Sequence, residues 1–184
     1  MTAAASTLGV IQSLAVQLAA FEAVLLLASG LHKLLMGDHT RSVVHEFAGV
    51  PRHLAPFAAV AIAAAELLAS LLLWMPTHRA VGSMLAALIW GGYLALILRA
   101  IVLGRRDVDC GCTFGGGRHP LGAFQVVRNL VLIGVATLAA AGSAAGVAGP
   151  VAAAQILAAL GLLALYGALD QVMALAPPRR GELT

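Results

Sequence analysis

The chain has 184 residues, of which 61% are apolar and only 10% charged, with a formal net charge of +3. A soluble domain carries roughly a quarter charged residues, so this composition excludes a water-soluble fold and points to an integral membrane protein. Lysine and arginine form no basic stripe interleaved with aromatics, which excludes nucleic acid as a partner, and two cysteines are too few for a disulfide-stapled scaffold.

The apolar runs predict a single polytopic domain over residues 1–184 with about five membrane-spanning helices. The first span is expected over about 11–36. No Lys or Arg precedes it, and it outlasts the apolar core of a secretory signal, so it reads as a retained span. A polar loop, GDHTRSVVHEFAGVPRH, should follow, then a second span over about 54–75 that Pro76 stops. The third span is expected over about 80–103. Behind it comes GRRDVDCGCTFGGGRHPLG, the longest charged and glycine-rich stretch. The fourth and fifth spans, about 121–141 and 151–176, flank the uncharged turn AGSAAGVAGP. Each span approaches the roughly 20 residues that a helix needs to cross the hydrocarbon. Helices are required because lipid offers backbone groups no partner.

With five spans, the loop after the first, the loop after the third and the C-terminus share one side. Every loop and tail Lys or Arg lies there except Arg79. The positive-inside rule then places this side in the cytoplasm and the N-terminus outside, across a bacterial inner membrane.

Asp109-Cys110-Gly111-Cys112 is the sharpest local feature. Two thiols separated by one glycine can close a small, strained loop whose disulfide is readily exchanged. Arg105, Arg106, Arg118 and His119 favour the thiolates, whereas Asp107 and Asp109 oppose them. The same pair is half of a metal site, with His119 the nearest further ligand and His39, His45 and His53 on the same side. Gly115-Gly116-Gly117 is not a phosphate loop, since no Lys-Ser/Thr follows and no strand precedes.

Polar residues inside the spans form two groups. Glu22 and Glu66 each lie roughly 14–16 Å from the outer end of their spans and are expected to face each other near mid-membrane. His32, Arg99, Arg128 and Asp170 sit roughly 6–11 Å inside the cytoplasmic ends, with Gln125, Asn129 and Gln171 nearby. An Arg128–Asp170 pair would neutralise both charges. Lys33 is expected to snorkel to the interface, Trp74 to anchor there, and Trp90 and Tyr93 to serve as packing.

These residues carry a resemblance. His32-Lys33 closing the first span, Glu66 in the second, Asp109-Cys-Gly-Cys112 after Gly104-Arg105, and Arg128-Asn129 in the fourth resemble the methylamine utilisation protein MauE family. The likeness runs from about Ala20 to Ala141. Its specific part is the Cys-Gly-Cys followed by Arg-Asn. Thr113 stands before Phe114-Gly115, where family members often continue with Phe-Gly directly. The resemblance implies an all-α DoxX-like four-helix bundle, here with one additional helix. It also implies a maturation role beside a thioredoxin-like partner, with the disulfide-rich small subunit of methylamine dehydrogenase as client. That client is periplasmic, whereas the charge pattern places the cysteines inside. A relay across the membrane from a single cysteine pair would need a second carrier, such as a quinone or a partner's thiols, though no cofactor is required by the residues themselves. Three functions stay open at this point: thiol–disulfide exchange, metal binding or transport, and non-catalytic assembly in the lipid bilayer.

Overall fold

The computed structural model describes the backbone of residues 2–105, 122–141 and 150–175, and the side chains of 9–105, 122–140 and 153–172. Among these residues there are six α-helices, one 3-10 turn and no strand. The helices are α1 (Thr2–Leu35), α2 (Gly37–Ala48), α3 (Ala55–Trp74), α4 (Arg79–Val102), α5 (Ala123–Ala141) and α6 (Pro150–Leu175). Five of them, all but α2, are long and apolar enough to cross a membrane, at the positions the hydrophobic runs predict. The protein is therefore an all-α, multi-pass membrane protein.

Four of the spans close a ring: α1 packs on α3, α3 on α4, α4 on α5, and α5 back on α1. Its centre is filled by Leu25, Leu26, Leu73, Trp90, Tyr93 and Leu132 around buried alanines. The helix α6 packs chiefly against α1 from outside this ring, with Phe21 edge-on to Tyr166 at 6.3 Å. Leucines at the outer surface, Leu157, Leu165 and Leu169 among them, are those that lipid covers.

Small residues set the spacing. A Cβ on Gly30 would lie 3.0 Å from the Leu67 side chain and 3.1 Å from the Ala63 carbonyl, so α1 and α3 touch nearly backbone to backbone. The Ser70 hydroxyl donates to the Ala23 carbonyl at 2.8 Å across the same interface. The α3–α4 turn is tighter still. Pro76–His78 forms its 3-10 turn, and a Cβ on Gly82 would stand 2.7 Å from the Leu73 nitrogen.

The segment after α1 is not the polar loop its composition suggests. It is α2, an amphipathic helix whose Thr40, Val44 and Phe47 are buried. Residues at i, i+4 and i+7 form one stripe. Val44 packs on Ala55 and Ala59 of α3, and Phe47 on Ile97 and Ala100 of α4. The helix thus lies over the end of the bundle where α1 and α4 finish. Gly49, at φ 74°, closes it in the left-handed conformation and returns its N–H to the His45 carbonyl.

Candidate functional site

The roof provided by α2 changes what the last turn of α1 meets. Lys33, two residues from the end of α1, is buried, and its ammonium lies 2.9 and 3.1 Å from the two carboxylate oxygens of Glu66. Its third contact is the Ser29 hydroxyl at 2.6 Å. An ammonium has three N–H donors, so all three are spent. Ser29 itself donates to Glu66 Oε1 at 3.1 Å, and the Tyr93 hydroxyl donates to the same oxygen at 2.5 Å. Lys33 also sits 5.4 Å from the Tyr93 ring centroid, within cation–π range. The charge of Glu66 is thereby matched inside the bilayer by one cation and two hydroxyls. The expectation that Lys33 snorkels is overturned, because α2 covers the route to the interface.

Glu22 and Glu66 do not take each other as partners. Both are fully buried, but the Trp90 indole N–H donates to Glu22 Oε2 at 2.8 Å. Glu22 Oε1 has no partner among the described residues. Two turns of α1 separate Glu22 from Ser29, so the carboxyls stand at different depths. Trp90 and Tyr93, whose rings are 5.8 Å apart, fill the step between them. Both aromatics are thus more than packing.

Arg128 and Asp170 form an ion pair at 3.0 Å, both buried. It joins α5 to α6, the span that packs outside the ring among the described residues. Asn129 is fully buried, and its amide donates back to the Gln125 carbonyl at 2.8 Å. The Gln125 side chain in turn accepts from the Gly122 N–H at 2.9 Å, one half of a capping box at the start of α5.

Two arginines hold α2 in place. Arg105 donates to the Glu46 carbonyl at 2.7 Å, and Arg99 reaches the Ala48 carbonyl at 3.5 Å. Both lie at the C-terminus of α2, where the last carbonyls lack helical partners and the dipole favours a cation. His32 lines a cavity beneath α2, together with Lys33, His39, Thr40 and Tyr93.

Cys110, Cys112 and His119 lie outside the described residues, as do the remaining groups of that segment from Arg106 to Leu121. Its boundaries are described: Arg105 on the end of α2, and Gly122 at the cap of α5. Of the other histidines weighed as metal ligands, His45 is engaged at both ring nitrogens. Nδ1 donates to the Val50 carbonyl at 2.7 Å, and Nε2 accepts from Arg52 at 3.3 Å. Among the described residues no group of three or more His, Cys, Asp or Glu is arranged to hold a metal.

At the opposite end, Arg79 opens α4 and is buried against a cavity of about 80 Å³ that Trp74, Leu73 and Gln155 also line. Sequence reasoning singles it out only as the loop arginine on the side opposite the others. It also leaves Ser29 and Tyr93 out of the site, although Ser29 and Lys33, four apart, must share one face of α1.

The fold and its interior define a multi-pass helical membrane protein with a buried Lys–Glu pair under an amphipathic helix. A family model described as methylamine utilisation protein MauE matches residues 11–142. That is more than half of the chain, and the chain belongs to this family. The match takes in the four-helix ring, α2 and the cysteine segment, and ends before α6. Searches among curated proteins and among solved structures gave no match.

Proposed function

We propose that this member of the MauE family is a membrane thiol–disulfide exchange protein in which Cys110 and Cys112 react with a thioredoxin-like partner. A thiolate on one protein attacks a sulfur of the other's disulfide and forms a mixed disulfide. The second thiolate of the attacking pair then attacks the first attacker's sulfur, closes the new disulfide and displaces the partner's sulfur as a thiolate. The dithiol loses two electrons and two protons, and the former disulfide gains them.

The observation that carries this reading is the electropositive setting at both boundaries of the cysteine segment. Arg105 and Arg99 sit at the end from which the segment departs. The N-terminus of α5 stands where it returns, and a helix N-terminus favours a thiolate. Membership of a methylamine utilisation family supports a client dense in disulfides. Orientation follows charge in this proposal, with the cysteine side in the cytoplasm. Electrons then pass between the cysteine pair and the periplasmic client through a second carrier, a quinone or a partner's thiols.

Mass-shift alkylation of the membrane-embedded protein, before and after reductant, tests the reading. Cys110 and Cys112 should switch together between a disulfide and a dithiol. Two thiols that stay reduced under a strong disulfide oxidant would remove the redox function. Labelling from each face of intact cells reads the orientation.

A further inference from the structure

Among the described residues two carboxyl groups are fully buried, Glu66 and Glu22, and their surroundings differ in one decisive respect. Lys33 and Tyr93, which hold Glu66, both line the cavity under α2. His39 lines it as well and is itself exposed, so the cavity reaches the surface at the cysteine side. Its volume is about 40 Å³, room for about three waters at the roughly 10–15 Å³ each requires. In a wall otherwise built of residues such as Val43, Phe47 and Leu96, Thr40, His32, His39 and Tyr93 supply the polar partners such waters need. Glu22 has no such neighbour. Its donor is the Trp90 indole, which donates a hydrogen bond and cannot accept one.

We propose that the cavity under α2 is a hydrated proton port, opening on the cysteine side, through which the Lys33–Glu66–Tyr93 cluster exchanges protons with water, while Glu22 is sealed from it. A hydroxyl both donates and accepts. A hydronium ion arriving through the cavity gives a proton to the Tyr93 oxygen as Tyr93 gives its own to Glu66 Oε1, and is left as water. The pair passes from ammonium–carboxylate to ammonium–carboxylic acid and gains one positive charge, and the reverse transfer restores it. The ionisable groups facing Glu66 are Lys33 from α1 and Tyr93 from α4, with His32 and His39 farther out along the cavity. The relay stops at Trp90, because the indole has no lone pair to accept a proton, and Ser70, one turn of α3 beyond Glu66, spends its hydroxyl proton on the Ala23 carbonyl. This port stands on the cavity and the ion pair, and not on the thiol reading.

Lys33 is the sole lysine of the chain, and Trp90 is one of two tryptophans. Protein labelled with 15N-lysine and 15N-tryptophan, in lipid bilayers and with both cysteines changed to serine, therefore gives one ammonium signal and two indole signals by solid-state NMR. On transfer to D2O, the Lys33 ammonium should lose its protons at least a hundredfold faster than the Trp90 indole. Val43→Phe and Ala48→Leu each add bulk to the cavity wall. They should slow Lys33 exchange at least tenfold, while an unchanged Trp90 signal shows that the bundle is intact. A Lys33 ammonium that keeps its protons as long as Trp90 would overturn the port. So would Lys33 exchange that neither filling variant slows while the Trp90 signal persists. Because the cysteines are absent from the sample, these outcomes are separate from success or failure of thiol exchange.

Discussion

Lys33 of α1 and Glu66 of α3 form a buried ion pair of 2.9 Å, and they meet because Gly30 lets their helices touch. Removing one partner strands the other's charge in a medium that cannot solvate it, which costs about 3–5 kcal/mol for a buried pair. Lys33→Met and Glu66→Leu should each destabilise the protein by that order. The double variant should recover most of the loss, since neither charge is then left alone. Unfolding in mixed micelles measures all three. A double variant that loses the sum of the two singles would show that the pair is not the stabilising unit. Glu66→Gln keeps shape and one hydrogen-bonding carbonyl but cannot titrate, so activity retained in that variant assigns Glu66 a structural role alone.

The α3–α4 turn offers a contrast between two glycines. A methyl at Gly82 meets backbone at 2.7 Å, whereas one at Gly91 meets nothing within 4 Å. Gly82→Ala should cost about 1–3 kcal/mol, the range for overpacking that side-chain motion cannot relieve. Gly91→Ala should leave stability unchanged within about 0.5 kcal/mol. Equal effects at the two positions would contradict the close approach.

Arg128 enters this account as a clamp between α5 and α6. Asp170→Asn and Arg128→Leu should each loosen α6, seen as faster amide hydrogen exchange over 150–175. The Arg128→Leu/Asp170→Leu double variant should restore slow exchange. Thiol pKa values of Cys110 and Cys112 should be the same in that double variant as in the parent. A shift there would instead make Arg128 part of the cysteine site.

The latch on α2 is exposed and correspondingly weak. Arg105→Gln removes a cation from a helix C-terminus, an effect of about 0.3–1 kcal/mol. It should raise amide exchange along 37–48 severalfold without lowering overall stability. If the cysteines react beside this latch, thiol exchange should slow in the same variant, and an unchanged rate would separate α2 from the thiol chemistry.

The five spans were legible because length and apolarity alone specify a membrane helix, and Pro76 and the glycine-rich turns mark their ends. The amphipathic α2 was not, because Asp38, Arg41, His45 and Glu46 dominate its composition. Its signal was the Thr40–Val44–Phe47 stripe, which only a helical period exposes. The Lys33 error follows from that one. Counting rise to the end of α1 places its ammonium near water, and only a helix folded across that end keeps it inside. The Arg128–Asp170 pairing was foreseeable, since charges at matching depth in neighbouring spans neutralise each other most readily. Pairing Glu22 with Glu66 failed because depth alone ignores direction. Trp90 and Tyr93, read as packing, each bring a donor to one carboxyl.

Exchange through Cys110 and Cys112 can be captured by single-cysteine trapping. A thioredoxin-like protein lacking its resolving cysteine, oxidised to an activated mixed disulfide, is presented to the bilayer-embedded protein and to its Cys110→Ser, Cys112→Ser and double variants. The account predicts a covalent heterodimer with one of the single variants, mapped by mass spectrometry to the remaining cysteine. It predicts turnover with release of the partner in the parent, and neither product with the double variant. Two single variants that both fail to form a mixed disulfide, or a double variant that supports client maturation as well as the parent, would contradict it.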